Sequence, residues 1–182
     1  MAVDQNVTSK KVEVIHPSGS KIIAMIKQAG IREIVALPDI VTSESLLWPM
    51  SKDPEFRVTR ICKEDEGISI CGAMSYNGTR ALLLIQQTGL MDSLNALRAV
   101  GVDYHLPVVI MVGLQGKEPS VHPDQSAVYG VRIIRPVLDA MELSHSLIEN
   151  PNDVYQIPNV IERAYETSEP HIFLIGRALE AQ

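Results

Sequence analysis

The chain is predicted to fold as an α/β domain with three αβα layers, built on a mostly parallel sheet of roughly six strands. Three observations predict this. Continuous apolar runs such as "RALLLIQQ" and "LPVVIMVGL" read as strands covered on both faces, stretches with helical spacing lie between them, and Gly, Pro and Asp punctuate the joins. The 182 residues are 46% hydrophobic, 21% charged and only 4% aromatic. That suits aliphatic packing in a single domain over residues 1–182, with 1–15 a polar, flexible arm.

The elements follow in order. "HPSGSKIIAMIKQAG" carries Ser caps, apolar Ile22, Ile23, Met25 and Ile26, and a closing Gly30, the marks of a helix. "REIVALPD" is a β-branched strand broken at Pro38 and Asp39. A helical piece near "TSESLLWPM" leads to the strand "EFRVTRIC", expected to be interior, and then to a helix from Glu64 to about Tyr76. Next come the strand "RALLLIQQ", the helix "GLMDSLNALRAVGVDY" and the strand "LPVVIMVGL". A loop of some fifteen residues, Gln115 to about Tyr129, is rich in Pro, His, Asp and Gln, and ordered loops of that length are usually functional. The tail holds "VRIIRPV", helical patterns over Leu138–Ile148 and Val154–Thr167, and a last strand "HIFLIG".

Several function classes are excluded. Sixteen basic against 22 acidic residues give a net charge of −6, with no Lys/Arg cluster interleaved with aromatics, so a nucleic-acid surface is not expected. The N-terminus lacks an apolar signal core and no apolar run is long enough to span a bilayer, which predicts a soluble, cytoplasmic protein. "GLQGKEPS" fails as a phosphate loop because Met111 and Glu118 stand where Gly and Ser/Thr are needed; no GxGxxG or GxSxG occurs. The histidines at 16, 105, 122, 145 and 171 lack metal-ligand spacing, so no metal ligands are expected on this chain. Cys62 and Cys71 form neither CxxC nor a zinc set and read as buried thiols.

In a parallel sheet, ligands gather at the carboxyl ends of strands, where helix N-termini present free N–H groups. That rule selects Pro38 and Asp39, Lys63 to Glu66, Gln86 to Asp92, and the loop after Val112. The acids Glu64, Asp65 and Glu66 have a plain reading as first-turn charges that complement the helix dipole, by about 0.3–1 kcal/mol each. Glu64 has a second reading. Following directly on the end of a strand, its carboxylate can enter a cleft and there needs a hydrogen-bond donor.

"FRVTRICKEDEGISICGAMSYNGTRALLLIQQTGLMDSLNAL" resembles the pyrimidine-binding domain of thiamine-diphosphate-dependent decarboxylases, in which a strand ends at a glutamate, a small-residue helix follows, and the next strand ends in a Gly-containing turn. Within that group the chain is most similar to sulfopyruvate decarboxylase α subunits and to the matching half of phosphonopyruvate decarboxylase. "AGIREIVALPD", "QTGLMDSLNAL" and "GKEPSVHPDQ" resemble further family segments, and the likeness runs from about Ser18 to Gly176.

The resemblance implies that Glu64 hydrogen-bonds the aminopyrimidine N1′ of thiamine diphosphate and so activates it to attack a 2-oxo acid, with Glu66 as the alternative if the helix register shifts. It implies that Gln87, Thr88, Gly89 and Leu90 line the cofactor pocket, and that Pro38, Asp39, Lys117 and His122 face an anionic substrate, His122 also acting catalytically. Each has a plainer reading: Asp39 as a cap, Lys117 and His122 as solvated loop residues, Gly-Leu as an ordinary helix start. Met91, Gln125 and Ser126 depart from the family pattern and leave the substrate open between 3-sulfopyruvate and phosphonopyruvate. No segment resembles the diphosphate domain. A separate β subunit is therefore implied, carrying the Mg2+ ligands, in an α2β2 or larger assembly to which the helix of residues 89–104 contributes Leu90, Met91, Leu94, Leu97 and Val100. A carboligase subunit and a non-catalytic flavodoxin-like or scaffold domain are the alternatives.

Overall fold

The aliphatic runs become strands. The computed structural model describes residues 15–180; the arm expected over residues 1–15 lies outside the described residues except for Ile15. Strands β1 (Glu33–Ala36), β2 (Arg57–Arg60), β3 (Ala81–Gln86), β4 (Val109–Gly113), β5 (Ser144–Ile148) and β6 (His171–Ile175) form one sheet in the order β2-β1-β3-β4-β6-β5. Every pairing is parallel. After β2 the chain crosses to the far side of β1 to form β3, so the carboxyl ends of β1 and β3 flank a switch point of the kind that opens a ligand crevice.

Period-two alternation divides the core. Ile34, Leu82, Leu84, Val109, Met111 and Phe173 face a layer made by α1 (Gly19–Gln28), the helical segment Ser43–Lys52 that ends in α2 (Trp48–Lys52), and α8 (Ile157–Thr167). Val35, Leu83, Ile85, Ile110, Val112, Ile172 and Leu174 face the other layer: α3 (Glu64–Tyr76), α4 (Gln87–Asp92), α5 (Leu94–Leu97), α6 (Tyr129–Arg132) and α7 (Ile134–Ala140). Both faces of the central strands are thus covered, as their unbroken apolar sequence requires. No helix among the described residues is long and apolar enough to cross a membrane.

Several local expectations are corrected. β2 is an edge strand, not an interior one, with Arg57, Thr59 and Arg60 exposed. Cys62, just beyond it, is exposed, whereas Cys71 is buried and its thiol is pushed up to about 12 by burial. The helix expected over Leu138–Ile148 stops at Ala140, and Ser144–Ile148 is the opposite edge strand. Ser18 precedes α1 without a side-chain capping bond, its hydroxyl pairing instead with that of Ser20. "VRIIRPV", for which the sequence names no element, spans the end of α6 and the start of α7.

A buried imidazole joins the two strands at that second edge. His171 is 6% exposed, with Nδ1 2.8 Å from Ser144 Oγ and Nε2 2.9 Å from Ser146 Oγ. Burial first, then the nearby His145 and Arg163, lower its pKa from 6.5 to about 4. Its neutral form is favoured in the folded chain, so this contribution is complete above pH 6.5 and is lost as pH falls towards 4, by about 3 kcal/mol in all. Urea midpoints should drop across that window in the wild type, and the drop should shrink in His171→Asn, which keeps a donor and an acceptor. Equal slopes in both proteins would contradict the assignment.

Candidate active site

Glu64 is the first residue of α3, four residues beyond the last strand pair of β2. Extended backbone at Lys63 turns the chain into the helix there, and Glu66 holds that start: its Oε2 accepts the backbone N–H of Cys62 (3.1 Å) and of Lys63 (3.2 Å). Glu66 therefore has a structural task. Asp65 has another, pairing at 3.0 Å with Lys63, whose ammonium also reaches Asp92 at the end of α4 at 3.3 Å. The hydrogen bonds to these two acids raise the Lys63 pKa, and the bond to Lys63 lowers that of Asp65.

Only Glu64 of the three acids is left without a bond. Half-buried, its carboxylate makes no hydrogen bond or ion pair with any described residue. It lies across Gly89, in the first turn of α4, where any Cβ would overlap the Glu64 carboxylate. The two residues that the sequence singled out on different strand ends are brought into contact. A half-buried carboxylate with open acceptor sites, laid over a glycine at a sheet's carboxyl edge, fits the donor face of an aminopyrimidine.

The turn around Gly89 is held from behind. The buried Gln87 side chain accepts the Gln115 N–H at 2.8 Å and donates to the Gln115 carbonyl at 3.2 Å, extending the β3–β4 pairing by a side chain, while Gln86 donates to the Gln115 side chain. Gln87 thus braces the turn, Leu90 is core, and Thr88 is exposed at the start of α4. Pro38 is exposed and, with Asp39, Ile40, Ser43, Glu44 and Trp48, lines a cleft of about 360 Å³. The Asp39 carboxylate is spent on the following turn, accepting from Val41 N (2.6 Å), Thr42 N (2.9 Å) and the Thr42 hydroxyl, so its capping role is realised.

Lys117 departs most from expectation. Its side chain is 1% exposed, with the ammonium 2.6 Å from Glu149 Oε1 and 2.9 Å from the Glu118 carbonyl. The next residue closes the loop base: Glu118 accepts from Ser126 Oγ at 2.7 Å and Ala127 N at 2.9 Å, and those bonds lower its pKa. His122, exposed at the loop tip, has its Nε2 3.2 Å from Arg135 Nη1, which also binds Asp124 at 2.7 Å. Sequence reading missed Glu118, Arg135 and Glu149 because their partners lie 8 to 32 residues away and no local pattern links them.

No protein-family model matches the chain. The curated proteins similar to this parallel αβα domain with its acid-bearing carboxyl edge are decarboxylases. In particular they are sulfopyruvate decarboxylase and its alpha subunits, and the chain is a relative of that group. It is 30% identical over 163 residues to sulfopyruvate decarboxylase of Methanosarcina acetivorans, covering 90% of this chain and 41% of that protein. It is 29% identical over 101 residues to sulfopyruvate decarboxylase subunit alpha of Methanothermobacter thermautotrophicus, covering 56% of this chain and 61% of that one. The same subunit of Methanococcus maripaludis is 21% identical over 132 residues, 72% of this chain and 77% of the relative. The chain thus spans less than two thirds of the length of the first two relatives.

Proposed function

We propose that the chain is the alpha-type subunit of a thiamine-diphosphate-dependent decarboxylase that acts on an anionic 3-substituted pyruvate such as 3-sulfopyruvate or phosphonopyruvate. The observation that carries this reading is the Glu64 carboxylate, unbonded and laid over Gly89 at the carboxyl edge. Similarity to sulfopyruvate decarboxylases supports it. Thiamine diphosphate, when bound, supplies the nucleophilic carbon and the electron sink that decarboxylation of a 2-oxo acid requires. Glu64 accepts a hydrogen bond at the aminopyrimidine N1′ and holds the proton balance of that ring. Gly89 and Thr88 allow close approach of the ring, Leu90 backs it, and Gln87 keeps the turn in place.

In the same reading, Pro38 and Asp39 form one wall of the substrate mouth and His122 offers its imidazole to the substrate. Lys117 serves the substrate indirectly, by bracing the loop that carries His122. The diphosphate and Mg2+ are held by a partner β subunit, in an α2β2 or larger complex, and the apolar side chains Leu94, Met91 and Val100, each only partly buried, contribute to that contact.

The test is to co-express the chain with a subunit carrying a diphosphate-binding motif and to measure carbon dioxide release with thiamine diphosphate and Mg2+. Release from 3-sulfopyruvate or phosphonopyruvate, well above that from pyruvate, is the expected result. A complex that forms yet releases nothing from any of the three would overturn the reading, and tight cofactor binding by the monomeric chain alone would overturn the shared site.

A further inference from the structure

We infer that Arg135 is the residue that recognises the distal anionic group of the substrate, a sulfonate or phosphonate, a specificity role that rests on the decarboxylase reading above. Arg135 lies in the first turn of α7, the helix that leaves the carboxyl edge of the sheet for the start of β5. Its neighbours Ile134 and Val131 belong to the same core layer as Leu90 of α4, and α4 carries the glycine under Glu64. Arg135 and Glu64 therefore share one face and one edge of the sheet.

The guanidinium is held but not used up. Nη1 alone makes its contacts, with Asp124 Oδ2 at 2.7 Å and His122 Nε2 at 3.2 Å, and Nε and Nη2 make no hydrogen bond to any described residue. Its side chain is 28% exposed, so the free side of the fork is reachable from solvent. Asp124 and His122 fix the plane of the guanidinium, and a fixed plane with two unpaired N–H directions suits bidentate capture of an oxyanion. Asp124 opposes an incoming anion by its charge, yet it sits on the Nη1 side and leaves the open side to the ligand. The loop that presents His122 and Asp124 is fastened at its base by Glu118 and Lys117, so the recognition group is built before substrate arrives.

Two measurements test this. In the complex with its partner subunit, Arg135→Met should raise KM for 3-sulfopyruvate about tenfold to a hundredfold and affect pyruvate much less, since pyruvate has no distal anion. Arg135→Lys, which keeps the charge and the Asp124 pair but not the fork, should fall between. Independently of turnover, binding of 3-sulfopropionate to the full-length chain, followed by calorimetry, should weaken by a similar factor in Arg135→Met and stay unchanged in Arg60→Met, an exposed arginine on β2. Unaltered 3-sulfopropionate binding in Arg135→Met, or equal losses for sulfopyruvate and pyruvate, would overturn the inference. If no 2-oxo acid were decarboxylated while 3-sulfopropionate binding still depended on Arg135, the anion site would stand and the decarboxylase reading would fall.

Discussion

Glu64→Gln in the assembled enzyme should lower the decarboxylation rate by about 10² to 10⁴, the range expected when a positioned acid or base is removed, with the fold intact. Gln keeps the length and shape that pack across Gly89 but cannot exchange a proton with the ring, so the loss isolates chemistry from packing. Stability should move by no more than about 1 kcal/mol, the scale of a first-turn charge at a helix N-terminus. Gly89→Ala attacks the same contact from the other side: its Cβ would occupy the place of the Glu64 carboxylate and displace it, so activity should fall comparably without any change of charge. Glu66→Gln separates the two helix registers. It weakens the carboxylate that accepts the Cys62 and Lys63 N–H groups and should cost stability of about 1 kcal/mol, with turnover retained. Turnover near wild type in Glu64→Gln, or a greater loss in Glu66→Gln, would remove Glu64 from the chemistry.

Glu64 and Gly89 are each legible in the sequence because both mark carboxyl ends of strands, and in a parallel sheet all such ends meet at one edge; their direct contact is visible only in the fold. The central strands are legible for a related reason: β3 and β4 are covered on both faces, so their buried side chains, Ala81 to Ile85 and Val109 to Val112, are apolar throughout. The edges were harder to read. β5 is "SHSLI", whose polar positions face the His171 cluster and solvent, and its apolar residues join those before it into a false helical period. β2 misled in the opposite direction. Its β-branched Val58 and Thr59 suggest a buried strand, while the flanking Arg57 and Arg60 suit an exposed edge on which charge discourages pairing with another chain. Lys117 was misread because its surroundings in sequence are polar; only the fold brings Glu149, at the far end of β5, to its ammonium.

That buried pair should be the costliest single feature of the loop to disrupt. The Lys117 side chain is 1% exposed and that of Glu149 14%, so removing either partner leaves a charge in a poorly solvated site, at a cost of about 3–5 kcal/mol, against about 1 kcal/mol or less for an exposed pair. Lys117→Met should therefore shift the urea midpoint strongly, and Glu149→Leu likewise. The double variant Lys117→Met with Glu149→Leu should recover most of the loss, because two charges then leave together and hydrophobic groups of similar volume replace them. Gly176→Ala offers an independent check, since its Cβ would come within 2.5 Å of Glu149 Oε1 and push the carboxylate off its partner. In the assembled enzyme the singles should raise KM for the anionic substrate more than they lower kcat, as the loop bearing His122 loses its anchor while Glu64 stays on Gly89. Single-variant costs near those of surface pairs, or a double variant no better than either single, would mean that Lys117 does not anchor the loop.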